Sequence, residues 1–145
     1  QEATARWEGI SLKGFVPDLQ EIYRDSRVSV APLLFGSGMK VKVLDAMARG
    51  MPTVTTSVGA EGIDVEIGTH LLVTDNPDDM ANEVDRLLTD PELWQRLQIN
   101  SRALISERYT WRALFSQMHR TLDKGLRTSE STAAGPANQG LQHAS

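Results

Sequence analysis

The sequence predicts an α/β fold: a partial Rossmann-like parallel sheet of about four strands with flanking helices, C-terminal helices and a disordered tail. Three observations predict it. Short apolar or β-branched runs alternate with segments of helical periodicity, the pattern of βα units. Residues 28–34 are nearly continuously apolar, as are strands covered on both faces. Asn76 before Pro77 and Asp90 before Pro91 each place a capping side chain ahead of a proline suited to the first helical position.

Taken in order, residues 10–16, ending Gly14, Phe15 and Val16, read as a short strand. Pro17 suits a first helical turn, and Leu19, Ile22 and Tyr23 have the spacing of its buried edge. Residues 27–34 are the second strand, with Pro32 at its end because proline has no amide donor. A helix over about 39–49 follows, closed by Gly50, Met51 and Pro52. Residues 52–56 form a third strand, rich in Thr and Val. The loop 59–63 carries Gly59 and Gly62 for unusual backbone angles.

Residues 70–74 are a fourth short strand. The helix begun by Asn76 buries Met80, Val84, Leu87 and Leu88, and the one begun by Asp90 runs to about Glu107. Thr110 caps a last helix, in which Trp111, Leu114, Phe115, Met118 and Leu122 recur at helical spacing. From Thr128 the composition turns to Ser, Thr, Ala, Gly, Gln and Asn, too poor in apolar residues to order itself. The chain thus divides into an N-terminal edge (1–9), a domain (10–127) and a disordered tail (128–145).

The length of 145 residues suits one domain, enough to bury roughly two thirds of its unfolded surface. A net charge of −4 argues against a nucleic-acid partner or an anionic-membrane surface. The absence of cysteine excludes a disulfide framework, a thiolate zinc site and a cysteine nucleophile, and fits a cytoplasmic protein. No run approaches the roughly 18 apolar residues of a membrane span. With no initiator Met and no signal-like apolar core, the N-terminus reads as that of a chain cut from something longer.

The chemistry concentrates at residues 36–50. Lys40 and Lys42 fall at the start of a helix, where the macrodipole disfavours cations by about 0.3–1 kcal/mol each. Asp45 falls on the apolar stripe Val41, Leu44, Ala48, which points it toward the body of the domain. Both features make sense if an anion sits at the turn Gly36, Ser37, Gly38 and a hydroxyl-bearing group lies against Asp45. A phosphate esterified to a sugar meets both requirements. A dinucleotide fingerprint does not fit, because its third glycine would fall at Val41 and its acid about 20 residues on is missing. No P-loop sequence is present.

On the residues alone, ordinary turn chemistry with solvated lysines stays open, as does Asp45 as a structural acid bonded to a loop amide. Glu61 either lines the same cleft or is a solvated loop acid. Thr55 and Thr56 end a strand where α/β sheets bind ligands, although β-branched strand residues need no such role. His70, His119 and His143 share no metal spacing, so no metal site is expected. Trp94 and Trp111 belong to helix packing faces.

The run from Gly14, Phe15 and Val16, through Pro32 and Gly38, to residues 44–54 resembles the donor-binding domain of retaining GT-B glycosyltransferases. This large family includes sucrose synthases and many polysaccharide biosynthesis enzymes, and the resemblance covers roughly residues 10–125. It implies transfer of a sugar from a nucleotide-diphosphate sugar to an acceptor, with retained configuration, no cofactor and no required metal. Two glutamates that mark the family across this turn and helix fall here on Ser37 and Asp45. By the resemblance, Asp45 holds the ribose hydroxyls, while Ser37 offers the donor sugar only a neutral hydroxyl. The amides of Gly38, Met39, Lys40 and Val41 match those facing the diphosphate, with Lys40 and Lys42 as possible added charge. Such oriented amides stabilise a departing diphosphate.

The resemblance also implies a partner absent from this sequence, the N-terminal acceptor-binding half. A basic pair at the start of the donor half and central strands of its sheet are absent too. The remaining chain is then expected to be marginally stable, or to pack the strand near 14 directly beside the strand near 30. Alone it is expected to bind a nucleotide-diphosphate weakly and to be inactive. A non-catalytic α/β nucleotide-binding or structural module is the alternative.

Overall fold

The computed structural model describes residues 9–113 and Phe115. Two compact units divide the chain, Gln1–Ala103 and Leu104–Ser145. The elements in order are α1 (Gln20–Arg24), β1 (Ser29–Ala31), α2 (Val41–Ala48), β2 (Thr53–Thr55), α3 (Ser57–Ala60), β3 (Leu72–Val73), α4 (Pro77–Thr89) and α5 (Pro91–Arg108). No helix among the described residues is long and apolar enough to cross a membrane.

In the first unit the strands form one parallel sheet in the order β1-β2-β3, with Val30 opposite Val54 and Val54 opposite Leu72. The parallel α/β arrangement is as the sequence predicts, but among the described residues the strands number three rather than about four. Residues 10–16 form no strand. Ile10 and Leu12 alternate with polar residues as in a strand, yet both are exposed, and Phe15 is 91% exposed. Alternation is a local signal, whereas a strand exists only by bonding to a neighbour. Among the described residues β1 pairs with β2 alone, so the segment near 14 does not pair with it either.

β2 is the central strand, and all three of its residues are buried. Its threonine hydroxyls are satisfied there. Thr53 Oγ1 donates to Met51 O at 2.9 Å and Thr55 Oγ1 to Ala31 O at 2.8 Å. Thr56 Oγ1 donates to Leu33 O at 2.5 Å and accepts from Gly59 N at 3.1 Å, which makes it the N-cap of α3. The sequence reads this turn as loop, but Gly59 is helical and buried; its need is for space, not for an unusual angle.

The core joins Val54 and Leu72 of the sheet to Met80 and Leu87 of α4 and to Leu93 and Leu97 of α5. Both expected starts are present. Asn76 Oδ1 accepts from the amides of Asp78 and Asp79, and Asp90 Oδ1 from those of Glu92 and Leu93. Leu88, expected on the buried stripe, is half exposed, because it lies about 100° around the helix from Leu87, which faces the sheet. Trp94 packs as expected, its Nε1 donating to Arg27 O at 2.7 Å beneath the Arg27 guanidinium.

α2 buries Val43, Ala46 and Met47 rather than Val41, Leu44 and Ala48. Val41 is 72% exposed. Nearly every position of this helix is apolar, so its period is legible while its phase depends on which side meets the sheet. Gly50 ends it in the left-handed region (φ 74°), with Gly50 N bonded to Met47 O and Met51 N to Ala46 O, a Schellman motif. A side chain at Gly50 would also collide with Arg102 Cδ at 2.6 Å.

In the second unit, Thr110 Oγ1 accepts from Ala113 N at 3.2 Å, the cap the sequence predicts. Trp111 is 78% exposed rather than packed, its ring 6.2 Å from that of Phe115 one turn on. The N-terminal edge through residue 8, the remaining stripe Leu114, Met118 and Leu122, His119, His143 and the tail from Thr128 lie outside the described residues.

A Cβ on Gly59 would overlap Thr55 Oγ1, which its bond to Ala31 O holds in place. Gly59→Ala is therefore expected to destabilise the chain by about 1–3 kcal/mol in urea denaturation. Thr55→Ala in the same chain should make the combined loss less than the sum of the two.

Candidate functional site

The turn between β1 and α2 is built around a lysine. Gly36 (φ 127°) and Gly38 (φ 76°) occupy backbone conformations that side chains disfavour. The carbonyls of both point at Lys40 Nζ, which donates to Gly36 O at 2.8 Å and to Gly38 O at 2.7 Å. Glu61 Oε2 is 3.6 Å from the same ammonium. Lys40 is 8% exposed. Lys40, expected to offer its charge directly to an anion, is thus folded back into the turn. An ammonium has three donors and no acceptor, and carbonyls are what it can use. The arrangement removes the dipole conflict, since the cation lies over carbonyls instead of beside the helix amides.

The amides of Met39, Lys40, Val41 and Lys42 donate to no acceptor among the described residues, as expected for the opening of a helix. Ser37, Gly38, Met39, Val41 and Lys42 are all exposed beside them, and a Cβ on Gly38 would meet nothing within 4 Å. Of the two lysines, only Lys42 presents its charge to solvent here. A Cβ on Gly62 would come within 3.5 Å of the Met39 backbone, so the loop after α3 abuts the turn. That close approach brings Glu61 to the turn, a placement the sequence left open.

Asp45 does not face the body of the domain. Because the buried phase of α2 is Val43, Ala46, Met47, its side chain lies at the helix edge, 34% exposed. It has no loop amide as partner. Arg49 Nε lies 3.1 Å from both Oδ1 and Oδ2, and the Tyr23 phenol of α1 lies near enough to be shifted by the same carboxylate. The Arg49 guanidinium is 5.0 Å from the centre of the Tyr23 ring. Burial, then the Asp45 charge and hydrogen bond, raise the Tyr23 phenol above its ordinary pKa, and Arg49 offsets part of this. An open cleft of about 580 Å³ lies alongside, lined by Asp18, Gln20, Glu21, Tyr23, Arg24 and Arg49.

The remaining candidates have structural partners. Thr55 and Thr56 hold neighbouring backbone, and His70 Nδ1 accepts from Glu66 N at 2.9 Å in the turn before β3. Among the described residues no three of His, Asp and Glu could hold a metal ion. Asp75 Oδ1 accepts from the amide and hydroxyl of Ser57, bonds that hold its carboxyl below the usual carboxylate range. Sequence reasoning missed Tyr23 and Arg49. The spacing of Asp45 and Arg49 was a usable local signal, whereas no local pattern ties Tyr23 to either.

The family model of glycosyl transferases group 1 matches residues 1–90. The chain is 30% identical over 101 residues to an uncharacterized 44.6 kDa protein in the cps region of Klebsiella pneumoniae, covering 70% of this chain and 26% of that one. It is 33% identical over 102 residues to an uncharacterized glycosyltransferase of Methanocaldococcus jannaschii, covering 68% of this chain and 26% of the relative. Against a sucrose synthase of Nitrosomonas europaea the identity is 28% over 130 residues, 82% of this chain and 16% of the other. The chain therefore spans about a quarter or less of these relatives. A similar fold occurs in the C-terminal domain of a glycosyl transferase group 1 family protein, LpcC, from Francisella tularensis. The TM-score is 0.59 at 23% identity, covering 68% of this chain and 52% of that one.

Two measurements check the site. Lys40→Met should destabilise the chain by about 2 kcal/mol or more, since it removes two charge-assisted bonds, whereas Lys42→Met should change stability by less than about 0.5 kcal/mol. In ultraviolet titration of a Tyr109→Phe background, Tyr23 should ionise above its ordinary pKa. Asp45→Asn should lower that value part way, burial remaining. The sign follows from the raised folded value. Tyr23's contribution to stability is complete below the unfolded pKa near 10 and is lost as pH rises through the folded one.

Proposed function

The chain belongs to the glycosyl transferases group 1 family, and on that premise we propose that it is the donor-binding part of a retaining glycosyltransferase, acting on a nucleotide-diphosphate sugar. The observation that carries this reading is the opening of α2, where the amides of Met39, Lys40, Val41 and Lys42 have no acceptor among the described residues and Lys42 is exposed. Backbone amides at a helix start are suited to phosphate.

In this reading the diphosphate lies against the amides of Gly38, Met39, Lys40 and Val41, and Lys42 adds direct charge. Asp45 accepts from the ribose hydroxyls. Ser37 offers the sugar a neutral hydroxyl, and Glu61, exposed at the same turn, supplies the carboxylate that Ser37 lacks. As the bond to the anomeric carbon breaks, negative charge grows on the departing diphosphate. Fixed amides and a nearby cation stabilise it without reorganising.

The acceptor site and the remaining cationic contacts belong, in this proposal, to a longer protein containing this segment. The chain alone should then bind nucleotide-diphosphate weakly and transfer no sugar. Titration calorimetry with UDP and GDP tests this. Asp45→Ala should weaken binding by about tenfold or more while changing stability by no more than about 1 kcal/mol. Absence of binding both by this chain and by a longer protein containing it would sink the proposal. An Asp45→Ala variant that loses stability but keeps nucleotide affinity would favour a non-catalytic module.

A further inference from the structure

Asp45 is engaged by an arginine one turn along its own helix. Arg49 Nε straddles its two oxygens at 3.1 Å each, and the Tyr23 phenol, on a different helix, lies near enough to be shifted by the same carboxylate. The Arg49 guanidinium in turn lies over the Tyr23 ring, so each partner also fixes the other. Both partners line the open cleft, and the carboxylate they hold stays about one third exposed beside it. A carboxylate offers about four lone-pair sites. Arg49 engages both oxygens through a single Nε, and the carboxylate's one-third exposure leaves acceptor capacity for hydroxyls arriving from solvent.

We propose that Tyr23 and Arg49 are positioning residues, which hold the Asp45 carboxylate in the orientation that receives the vicinal hydroxyls of the donor's ribose. This rests on the reading of Asp45 as the ribose contact. An aspartate reaches one methylene less far than a glutamate, so a second pair of groups that fixes its direction has a defined task here. A purely structural triad is the competing account. α1 has no buried residue, and the Arg49 guanidinium over the Tyr23 ring ties it to the end of α2. The two accounts differ in what they predict for a ligand without ribose hydroxyls.

The test titrates UDP and GDP, each beside its dideoxyribose counterpart, into the wild-type chain and into the Tyr23→Phe and Arg49→Lys variants. Tyr23→Phe removes one hydroxyl, and Arg49→Lys keeps the charge while losing the straddling Nε. The wild type should prefer the ribose form by about tenfold or more, the worth of a hydrogen bond to a charged group. Both variants should shrink that preference several-fold while binding the dideoxy ligand as the wild type does. Equal weakening of both ligands, or an unchanged preference in both variants, overturns the inference and leaves the donor-site reading standing. A wild type that binds the two forms equally overturns it as well. A wild type that binds neither, with longer proteins containing it equally silent, removes the donor-site reading and the inference together.

Discussion

The Lys40 ammonium, buried among the carbonyls of a glycine turn, constrains everything around the candidate site. Each peptide unit is planar and trans, so its C=O and N–H point in opposite directions. Drawing the carbonyls of Gly36 and Gly38 onto Nζ therefore turns the amides of Ser37 and Met39 the other way. The cation disfavoured at a helix start thus turns the Met39 amide, one of those at the opening of α2, away from the buried ammonium. It needs glycine at both positions, because both backbones lie at positive φ.

The sheet supplies the fixed frame for that turn. β2 is buried throughout, and the hydroxyls of Thr55 and Thr56 reach across to Ala31 O and Leu33 O, on either side of Pro32. These bonds fasten the exit of β1 where regular ladder bonding has ended. Thr56 also caps α3, and the chain after α3 returns against Met39. One residue thus links the departure of the loop from β1 to the placement of Glu61 at the same turn.

Asp45 shows how the phase of a helix decides chemistry. With Val43, Ala46 and Met47 against the domain, the acid emerges at the edge of α2, within reach of Arg49 on its own helix and Tyr23 on α1. Had Val41, Leu44 and Ala48 been the buried face, the carboxylate would have been drawn inward with no such partners. The proposed diphosphate cradle, at the opening of α2, and the proposed ribose contact on that helix are then separated by about one to two helical turns. A ligand with a phosphate and a sugar could span that distance.

Local chemistry alone determined much of this. The helix starts at Asn76 and Asp90, the stop at Gly50 and the glycine turn before α2 all rest on interactions within a few residues. Such signals stay legible because proline, glycine and short capping side chains act on their own backbone. Only the tertiary structure decided the rest. Whether residues 10–16 pair depends on a neighbouring strand, and α2 is apolar on nearly every side, so the sheet chose its phase. The direction of Lys40 followed from carbonyls two and four residues back that only a folded turn brings together, and the stacking of Arg49 on Tyr23 joins groups from separate segments. Periodicity states how often a side chain recurs on a face, and contact between distant segments states what that face meets.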